Sequence, residues 1–145
     1  EDVQDPGNLG TIVRTAEAFG IDGLFLTAGC CDLYNPKVLR ASMGGVFRLP
    51  LYPVGEMAAA VERLRLAGRR CFACVPDGEA ASICSIEWRP EDVCLIGNEG
   101  NGLREATTAA CDGRITIPMA GRAESLNAAM AAGIVMWETM RARKT

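Results

Sequence analysis

Three observations predict an α/β fold in which helices cover both faces of a parallel sheet. Segments with the period of strands alternate along the chain with segments that have the period of helices. The strand segments, such as 22–27 and 92–97, are continuous apolar runs without the polar alternation of a sheet that faces water. With 145 residues, of which 49% are hydrophobic, the chain can bury the core of one domain.

The first half of the chain predicts three helices between short strands. Asn8 can cap a helix that runs to about Phe19, with Gly20 in the left-handed closing position. After the strand 22–27, Asn35 and Pro36 open a helix that closes near Gly44 and Gly45, and 46–53 is strand-like but interrupted by prolines. The third helix, at 55–68, has apolar residues at helical spacing, namely Met57, Val61, Leu64 and Ala67.

The second half continues the alternation and ends in a long helix. Strand patterns at 69–75 and 92–97 are followed by a short helix at 103–111 and a third strand pattern at 114–118. The last helix is predicted to begin at about Ser125. One apolar stripe follows its length, formed by Leu126, Met130, Ile134, Trp137 and Met140.

Charge and hydropathy limit the classes of function. The net charge is −3, which disfavours a stand-alone nucleic-acid binder, since phosphate contacts need clustered cations. No apolar run approaches the ~20 residues of a membrane-spanning helix, and no signal peptide opens the chain. We therefore expect a cytoplasmic protein without a membrane partner.

The cysteines predict structural thiols. Seven of them, an odd number, lie mostly in aliphatic surroundings, which indicates small buried side chains in a reducing compartment. Cys71 and Cys74 have the spacing of a zinc or redox pair, but no second such pair exists and the chain has no histidine. We therefore expect no metal site. A flavodoxin-like redox protein built around Cys71 and Cys74 is an alternative.

The loop 95–103, LIGNEGNGL, is the first of two patterns that indicate a ligand site. Three glycines surround Asn98, Glu99 and Asn101 directly after a buried strand, and glycine lets backbone groups approach a ligand closely. The GxxGxG spacing differs from that of a dinucleotide fold, and no Lys-Ser or Lys-Thr follows as in a P-loop. The loop predicts a backbone-lined slot for a ligand less charged than a pyrophosphate, with a tight structural turn as the alternative.

The second pattern is the segment 115–130, ITIPMAGRAESLNAAM, where a strand leads through a turn into the last helix. Ser125 and Asn127 stand near the start of that helix, and capping explains one of them more easily than both. Polar side chains beside open backbone amides also make a ligand wall. Because the chain has no histidine, a proton acceptor must be a carboxylate, a thiolate, an amine or the substrate, which favours an already activated cosubstrate.

Three blocks of the sequence together resemble the SpoU family of the SPOUT superfamily, RNA methyltransferases that use S-adenosylmethionine. The blocks are DPGNLGTIVRTAEAFG at 5–20, LIGNEGNGL at 95–103 and ITIPMAGRAESLNAAMAAGIVMWE at 115–138. They occur in the family's order and spacing, and the segment 40–50, RASMGGVFRLP, is also similar to the family. The resemblance covers nearly the whole chain.

The resemblance implies a C-terminal trefoil knot within the parallel α/β fold, and a homodimer. It implies transfer of a methyl group from S-adenosyl-L-methionine to a ribose 2′-hydroxyl of rRNA or tRNA. Because the leaving group of that reaction is neutral, no metal is needed, and the enzyme supplies position and help with the hydroxyl proton. The alternative on the same fold is a non-catalytic RNA-binding or assembly protein.

The resemblance also implies roles for single residues. A bent cofactor is expected to contact Leu95, Gly97, Asn98, Ile117, Pro118, Met119 and Leu126. Catalytic or supporting roles are expected for Asn8, Arg14, Glu99, Ser125 and Asn127. Arg14 is expected beside the target ribose, in its own subunit or its partner's, as a general base or as an anchor for the adjacent phosphate. A guanidinium rarely gives up its proton, which favours the anchor.

The start of the sequence departs from the family. Members normally have an apolar strand immediately before the first block, where this sequence has EDVQ, and many carry an N-terminal RNA-recognition domain. We therefore expect residues 1–145 to form the catalytic domain without its first strand and without that recognition domain.

Overall fold

The structure, a computed structural model, describes residues 1–143. Its helices are α1 (Pro6–Ala18), α2 (Pro36–Ser42), α3 (Met57–Leu66), α4 (Glu105–Ala110) and α5 (Ala128–Arg143). Its strands are β1 (Leu24–Thr27), β2 (Leu51–Val54), β3 (Cys71–Cys74), β4 (Ala81–Ser82), β5 (Val93–Leu95) and β6 (Gly113–Thr116). Within this described range, no helix is long and apolar enough to cross a membrane.

The α/β fold with parallel strands is confirmed, but the strands form two sheets. β1 pairs with β2, and the second sheet has the order β4-β6-β3-β5, with every strand pair parallel. β1 and β5 therefore each have one strand partner among the described residues. A cavity of about 360 Å³ lies between the two sheets, and apolar side chains from Leu24, Leu26, Val93 and Leu95 are among those that line it.

Helix α1 begins earlier than predicted because Asp5, and not Asn8, is its N-cap. The Asp5 carboxylate accepts a hydrogen bond from the backbone amide of Asn8 at 2.8 Å, and Pro6 occupies the first helical position. Proline is favoured there because its missing N–H would have no helical partner. The Asn8 side chain is therefore not used for capping. Gly20 has a φ of +66°, the left-handed closing conformation expected for it.

Helix α5 buries a different face from the predicted stripe. Its buried side chains include Ala129, Ala132 and Val135, and α1 is its main helical neighbour. Ala129 and Ala132 pack in one cluster with residues of α1, whereas Val135 packs with Phe72 and Ile115 of the second sheet. The predicted stripe is half-buried or exposed instead, with Met130 at 59% and Trp137 at 49% exposure. The helix begins at Ala128, three residues after the expected start at Ser125.

Two further elements differ from prediction. Residues 45–47 form a short 3₁₀ turn, and β2 begins only at Leu51, because a turn closed by Gly44 in a left-handed conformation precedes it. β4 was not predicted, since a two-residue strand has no measurable sequence period. The predicted helices at 35–44 and 55–68, and the strands at 69–75, 92–97 and 114–118, are confirmed within a few residues.

The thiols of Cys71 and Cys74 point to opposite faces of β3. Cys71 packs with Val61 and Leu95, whereas Cys74 packs with Ile115 in a separate cluster. Burial raises the pKa of each to about 11, so both are neutral near pH 7 and poor nucleophiles. No group of cysteine and acidic side chains in the described range could hold a metal ion. Within the described residues, Cys71 and Cys74 therefore do not have the geometry of a redox pair.

Candidate functional site

The two predicted ligand loops meet at the carboxyl ends of β5 and β6. Together they enclose a cavity of about 320 Å³, within the size range of small-molecule sites. Open parallel sheets bind ligands at this edge because the loops that leave neighbouring strands converge there. Five predicted cofactor contacts line it, namely Gly97, Asn98, Ile117, Met119 and Leu126, and so do the predicted catalytic residues Glu99 and Ser125. Sequence reasoning missed Val75 and Pro76, which follow β3 at the same edge and complete the wall.

Asn98 organises the loop that follows β5. Its side-chain oxygen accepts hydrogen bonds from the backbone amides of Gly100 at 2.9 Å and Asn101 at 3.0 Å. Its side-chain nitrogen donates to the carbonyl of Asp2 at 2.8 Å. The backbones of Asn98 and Gly102 exchange two further hydrogen bonds of 3.0 Å. Asn98 therefore fixes the shape of the loop with both ends of its side chain.

Gly97 is required by the same turn for steric reasons. A Cβ added at this position would lie 2.2 Å from the Gly102 carbonyl carbon and 2.3 Å from the Leu103 nitrogen. Both contacts are with backbone, which cannot rotate away as a side chain would. Gly102 itself has a φ of +67°, a conformation that favours glycine. The sequence pattern thus marks a loop folded back tightly on itself, with its backbone exposed to the cavity.

Glu99 joins this loop to the start of α1. Its carboxylate accepts hydrogen bonds from the backbone amides of Gln4 at 3.2 Å and Asp5 at 3.1 Å, and from the Asn8 side-chain nitrogen at 3.1 Å. Partial burial acts to raise the pKa of Glu99, but hydrogen bonds from its own amide, Asn8, Asp5 and Gln4 outweigh burial and lower it. A carboxylate held in this way is an acceptor near pH 7, and it is a weak proton base.

Asn8 links Glu99 to the start of α5. The Asn8 side-chain nitrogen faces the Glu99 carboxylate, so the Asn8 side-chain oxygen points away from it. That oxygen accepts a hydrogen bond from the Asn127 side-chain nitrogen at 2.9 Å. The Asn127 oxygen in turn caps α5 by accepting from the amides of Ala129 at 2.9 Å and Met130 at 3.2 Å. Glu99, Asn8 and Asn127 therefore form one hydrogen-bonded chain across three segments distant in sequence.

A second, more open depression adjoins the cavity and brings four predicted catalytic residues together. Asn8, Glu99, Ser125 and Asn127 line it, together with Asp5, which sequence reasoning did not single out. The Asp5-Pro6 pair at a helix start was the available signal. Within residues 1–143 no hydrogen bond involves the Ser125 hydroxyl, whereas Asn127 is the cap. Ser125 is therefore available to a ligand.

Three predicted site residues lie apart from these depressions. Arg14 is exposed on α1, and six residues at 3.6 per turn put it about 120° around the helix from Asn8. It lines neither cavity wall, and among the described residues it has no ion-pair partner. Leu95 is buried in β5 and faces the space between the sheets, while Pro118 is exposed beside the cavity.

The chemistry of the cavity suits a ligand with apolar surface and little negative charge. Glu99 is the one residue charged near pH 7 among its lining residues. Ile117, Met119 and Leu126 supply apolar walls, and the loop 97–103 supplies backbone polar groups. A polyphosphate would face a carboxylate with no lysine or arginine to balance it. A ligand that combines apolar surface with a positive charge fits these walls.

Glu99→Gln is expected to reduce the free energy of unfolding by about 1 kcal/mol at pH 7, a modest value because the carboxylate is partly exposed. Because the pKa of Glu99 is lower in the folded chain, the ionised carboxylate stabilises the fold at pH values above its ordinary pKa of 4.5. This stabilisation is lost as the pH falls through the folded-state pKa. Urea unfolding of both proteins at pH 7 and below pH 4 measures the difference. The matched control is Glu62→Gln, at an exposed position of α3. A difference that stays constant with pH would contradict the prediction.

Comparison with known proteins gives consistent relatives. The SpoU rRNA Methylase family matches residues 1–137. A 23S rRNA uridine 2′-O-methyltransferase of Streptomyces viridochromogenes is 39% identical over 95% of this chain and 50% of its own length. The crystal structure of AviRb from the same organism, in complex with the cofactor AdoMet, has a TM-score of 0.85 at 37% identity and covers 97% of this chain and 57% of that one.

A third relative is matched over most of its own length. A structure described as giving insight into 2′-OH methylation of C/U34 on tRNA has a TM-score of 0.88 at 34% identity, and covers 99% of this chain and 92% of that one. By contrast, the chain spans about half the length of the curated relatives it matches.

Proposed function

Because the chain belongs to the SpoU rRNA methylase family, we propose that it is the catalytic domain of an RNA methyltransferase. The reaction is transfer of a methyl group from S-adenosyl-L-methionine to a ribose 2′-hydroxyl of rRNA or tRNA. The observation that carries this proposal is the adjacency of two depressions: a cavity bounded by apolar side chains and backbone, and a polar one that contains Asn8, Ser125 and Asn127. They share four lining residues, Glu99, Ser125, Leu126 and Ala128, so a cofactor in the first borders a substrate in the second.

The residues of the cavity fit S-adenosylmethionine. Gly97, Asn98, Ile117, Met119 and Leu126 would hold it. Leu95 and Pro118 do not line this cavity, and we propose that they contribute through the backbone beside it. When bound, the cofactor supplies an activated methyl group on a cationic sulfur, which needs no metal. Glu99 offers the one negative charge of the wall to that cation.

The chain's own residues provide position rather than a strong base. Hydrogen bonds fix the positions of Glu99, Asn8 and Asn127 in the polar depression. The Ser125 hydroxyl is free to hydrogen-bond the ribose. Since Glu99 has a lowered pKa, it is a poor acceptor for the hydroxyl proton. In this proposal Arg14 anchors the phosphate next to the ribose, and the hydroxyl proton, which is lost only as the methyl group is transferred, passes to that phosphate or to water.

The proposed enzyme is a homodimer. Arg14 does not line the polar depression of its own subunit, and in this proposal it enters the partner's depression. Met130 and Trp137 offer exposed apolar area on α5, where Trp137 contacts Phe19 with ring centroids 5.8 Å apart. The C-terminal knot belongs to the same proposal, supported by the return of residues 117–127 to the loop after β5. The cytoplasmic location stays a prediction.

Binding and transfer are tested separately. Titration calorimetry with S-adenosylhomocysteine is expected to show one site per chain, and tritiated cofactor is expected to label the 2′-oxygen of RNA from a strain that lacks the gene. Binding without transfer to any RNA would support the non-catalytic alternative. A chain with no affinity for the cofactor would rule out the methyltransferase. Sedimentation equilibrium at micromolar concentration tests the dimer.

We also propose that the full domain contains a strand between β1 and β5. The backbone nitrogen of Glu1 donates to the carbonyl of Ile96 at 2.8 Å, and that of Asp2 donates to the Thr27 hydroxyl at 2.8 Å. Residues 1–2 thus bridge the carboxyl ends of both strands, at one end of the apolar cavity of about 360 Å³. A parallel strand joined to Glu1 would fill that cavity.

Extension of Glu1 by about six alternating Val and Ile residues is therefore expected to raise the free energy of unfolding by more than about 2 kcal/mol, through burial of their side chains. Urea unfolding measures it. An extension of the same length made of Gly and Ser is the control. Equal stability of the two extended chains would contradict the added strand.

A further inference from the structure

An exposed row of side chains follows α2 and the turn after it. Tyr34, Lys37, Arg40, Met43 and Phe47, here called the α2 row, are spaced three, three, three and four residues apart. Tyr34 is 68% exposed, Met43 64% and Phe47 74%, and both cations are exposed as well. Helical spacing puts Lys37 and Arg40 on one face of α2, with an aromatic side chain at each end of the row.

Packing within the subunit does not account for the α2 row. Large apolar side chains are usually buried, and three of them lie here in one stretch of the surface. Within residues 1–143 no ion pair includes Lys37 or Arg40. Their charge is therefore not neutralised by the fold, although the whole chain has a net charge of −3. A partner with both flat rings and negative charge would cover the aromatic side chains of the α2 row and neutralise its two cations.

The backbone at the end of the row is held in an uncommon conformation. Met43 has a φ of +50°, in the left-handed region that few non-glycine residues adopt. The Arg48 guanidinium donates to the Met43 carbonyl at 3.2 Å and to the Glu17 carboxylate at 2.9 and 3.2 Å. These bonds fix the turn that presents Met43 and Phe47 to solvent, at the cost of backbone strain.

The same bonds attach the row to the side of α1 that carries Arg14. Arg14 and Glu17 are three residues apart on α1, so their side chains are neighbours on one helix face. The Glu17 to Arg48 ion pair then connects that face to the turn after α2. A strand of RNA whose phosphate met Arg14 would continue over the α2 row.

We propose that the α2 row binds single-stranded RNA next to the nucleotide that is methylated, with bases on Tyr34 and Phe47 and phosphates at Lys37 and Arg40. This inference rests on the proposed function, which supplies RNA as the substrate. Unpaired bases stack on aromatic side chains, and cations between such platforms follow the backbone. A second copy of the chain is a poorer occupant, because a two-fold contact through the row would bring Lys37 and Arg40 of both copies into one interface, and the row contains no acidic residue to balance them.

Two pairs of substitutions test the charge part of the proposal. Lys37→Gln with Arg40→Gln removes two cations from the row, and Arg63→Gln with Arg69→Gln removes two exposed cations elsewhere. The probe is a labelled single-stranded RNA of about 12 nucleotides, followed by fluorescence anisotropy at about 50 and 150 mM KCl. We expect the row variant to bind the RNA about tenfold more weakly. The slope of log affinity against log salt concentration should become shallower by about 1.4, because each phosphate contact in a single strand contributes about 0.7. The control should change both values much less.

Stacking is tested by Tyr34→Ala and Phe47→Ala, with Tyr52→Ala as the exposed aromatic control. Each row variant is expected to bind the RNA at least fivefold more weakly. A 4-thiouridine in the RNA should also crosslink to Tyr34 or Phe47 of the unaltered chain. RNA affinity equal to that of the controls, no RNA binding by the unaltered chain at either salt concentration, or crosslinks elsewhere would overturn the proposal.

Two further measurements separate this proposal from its rivals. Row variants that become monomeric in sedimentation would make the row a subunit contact, and would overturn RNA binding there. Calorimetry with S-adenosylhomocysteine tests the proposed function on its own, because no member of the α2 row lines the cofactor cavity. Loss of RNA affinity in the row variants of a chain that binds no cofactor would support the row and overturn the methyltransferase.

Discussion

Gly97→Ala is expected to weaken binding of S-adenosylmethionine by at least 100-fold, and to lower the free energy of unfolding by about 3 kcal/mol. The added methyl group would lie between 2.2 and 2.5 Å from three backbone atoms of Gly102 and Leu103. The loop must therefore open, and it cannot do so without breaking the two hydrogen bonds between Asn98 and Gly102. The cofactor would lose the backbone surface that the loop presents.

Calorimetry with the cofactor and urea unfolding measure the two effects, and Gly100→Ala in the same loop is the matched control. A Cβ at Gly100 would meet only the Asn98 side-chain oxygen, at 3.6 Å, which is an ordinary contact. The control is expected to keep its cofactor affinity within about threefold. If Gly97→Ala bound as tightly as Gly100→Ala, the cofactor could not rest on this loop.

These two glycines illustrate what the sequence could predict of the site. The density of glycines after a buried apolar run indicated a folded-back loop, because few other residues permit one. It did not indicate which glycine has no room for a side chain, since that depends on contact with Gly102 across the loop. The convergence of the two ligand loops was predictable in the same way, because parallel strands end at one edge of a sheet.

Other features depend on contacts that no local pattern contains. Asp5 and Asn8 are both good caps, and only the position of Pro6 decides between them. The choice matters because it releases Asn8 for the bonds to Glu99 and Asn127, which come from segments about 90 and 120 residues away. The buried face of α5 was missed because close packing selects alanine, which adds little to a hydrophobic stripe.

The division into two sheets could not be predicted from the strands themselves. Each of β1 and β5 has the continuous apolar sequence of a strand with neighbours on both sides, as in a single sheet. The structure gives each of them one neighbour and leaves an apolar cavity between them. That conflict between sequence pattern and environment is the physical reason for proposing an added strand.

Arg14→Lys is expected to lower the kcat/KM of methyl transfer by about 100-fold, which is about 2.7 kcal/mol of transition-state stabilisation. A lysine keeps the charge but not the planar fork that can hold two phosphate oxygens at once. Cofactor affinity should be unchanged, because Arg14 does not line the cofactor cavity. The control is Arg63→Lys, at another exposed helix position. Near-normal turnover with intact cofactor binding would exclude Arg14 both as base and as anchor.

Mixed dimers decide which subunit Arg14 serves. An Arg14→Lys subunit keeps an intact cofactor cavity, whereas a Gly97→Ala subunit keeps an intact Arg14. If Arg14 acts across the dimer, each mixed dimer has one complete site, assembled from the cavity of one subunit and the arginine of the other. In an equal mixture about half of the dimers are mixed, and one of their two sites is active, so about a quarter of normal activity should return.

If Arg14 instead served its own subunit, every site in the mixture would lack either the arginine or the cofactor, and no activity would return. The exposed position of Arg14 on α1, about 120° around the helix from Asn8, favours the first result. A role within its own subunit would require the Arg14 side chain to reach around α1 to the depression that Asn8 lines. Recovery of activity on mixing would therefore support both the proposed dimer and the place of Arg14 in the partner's site.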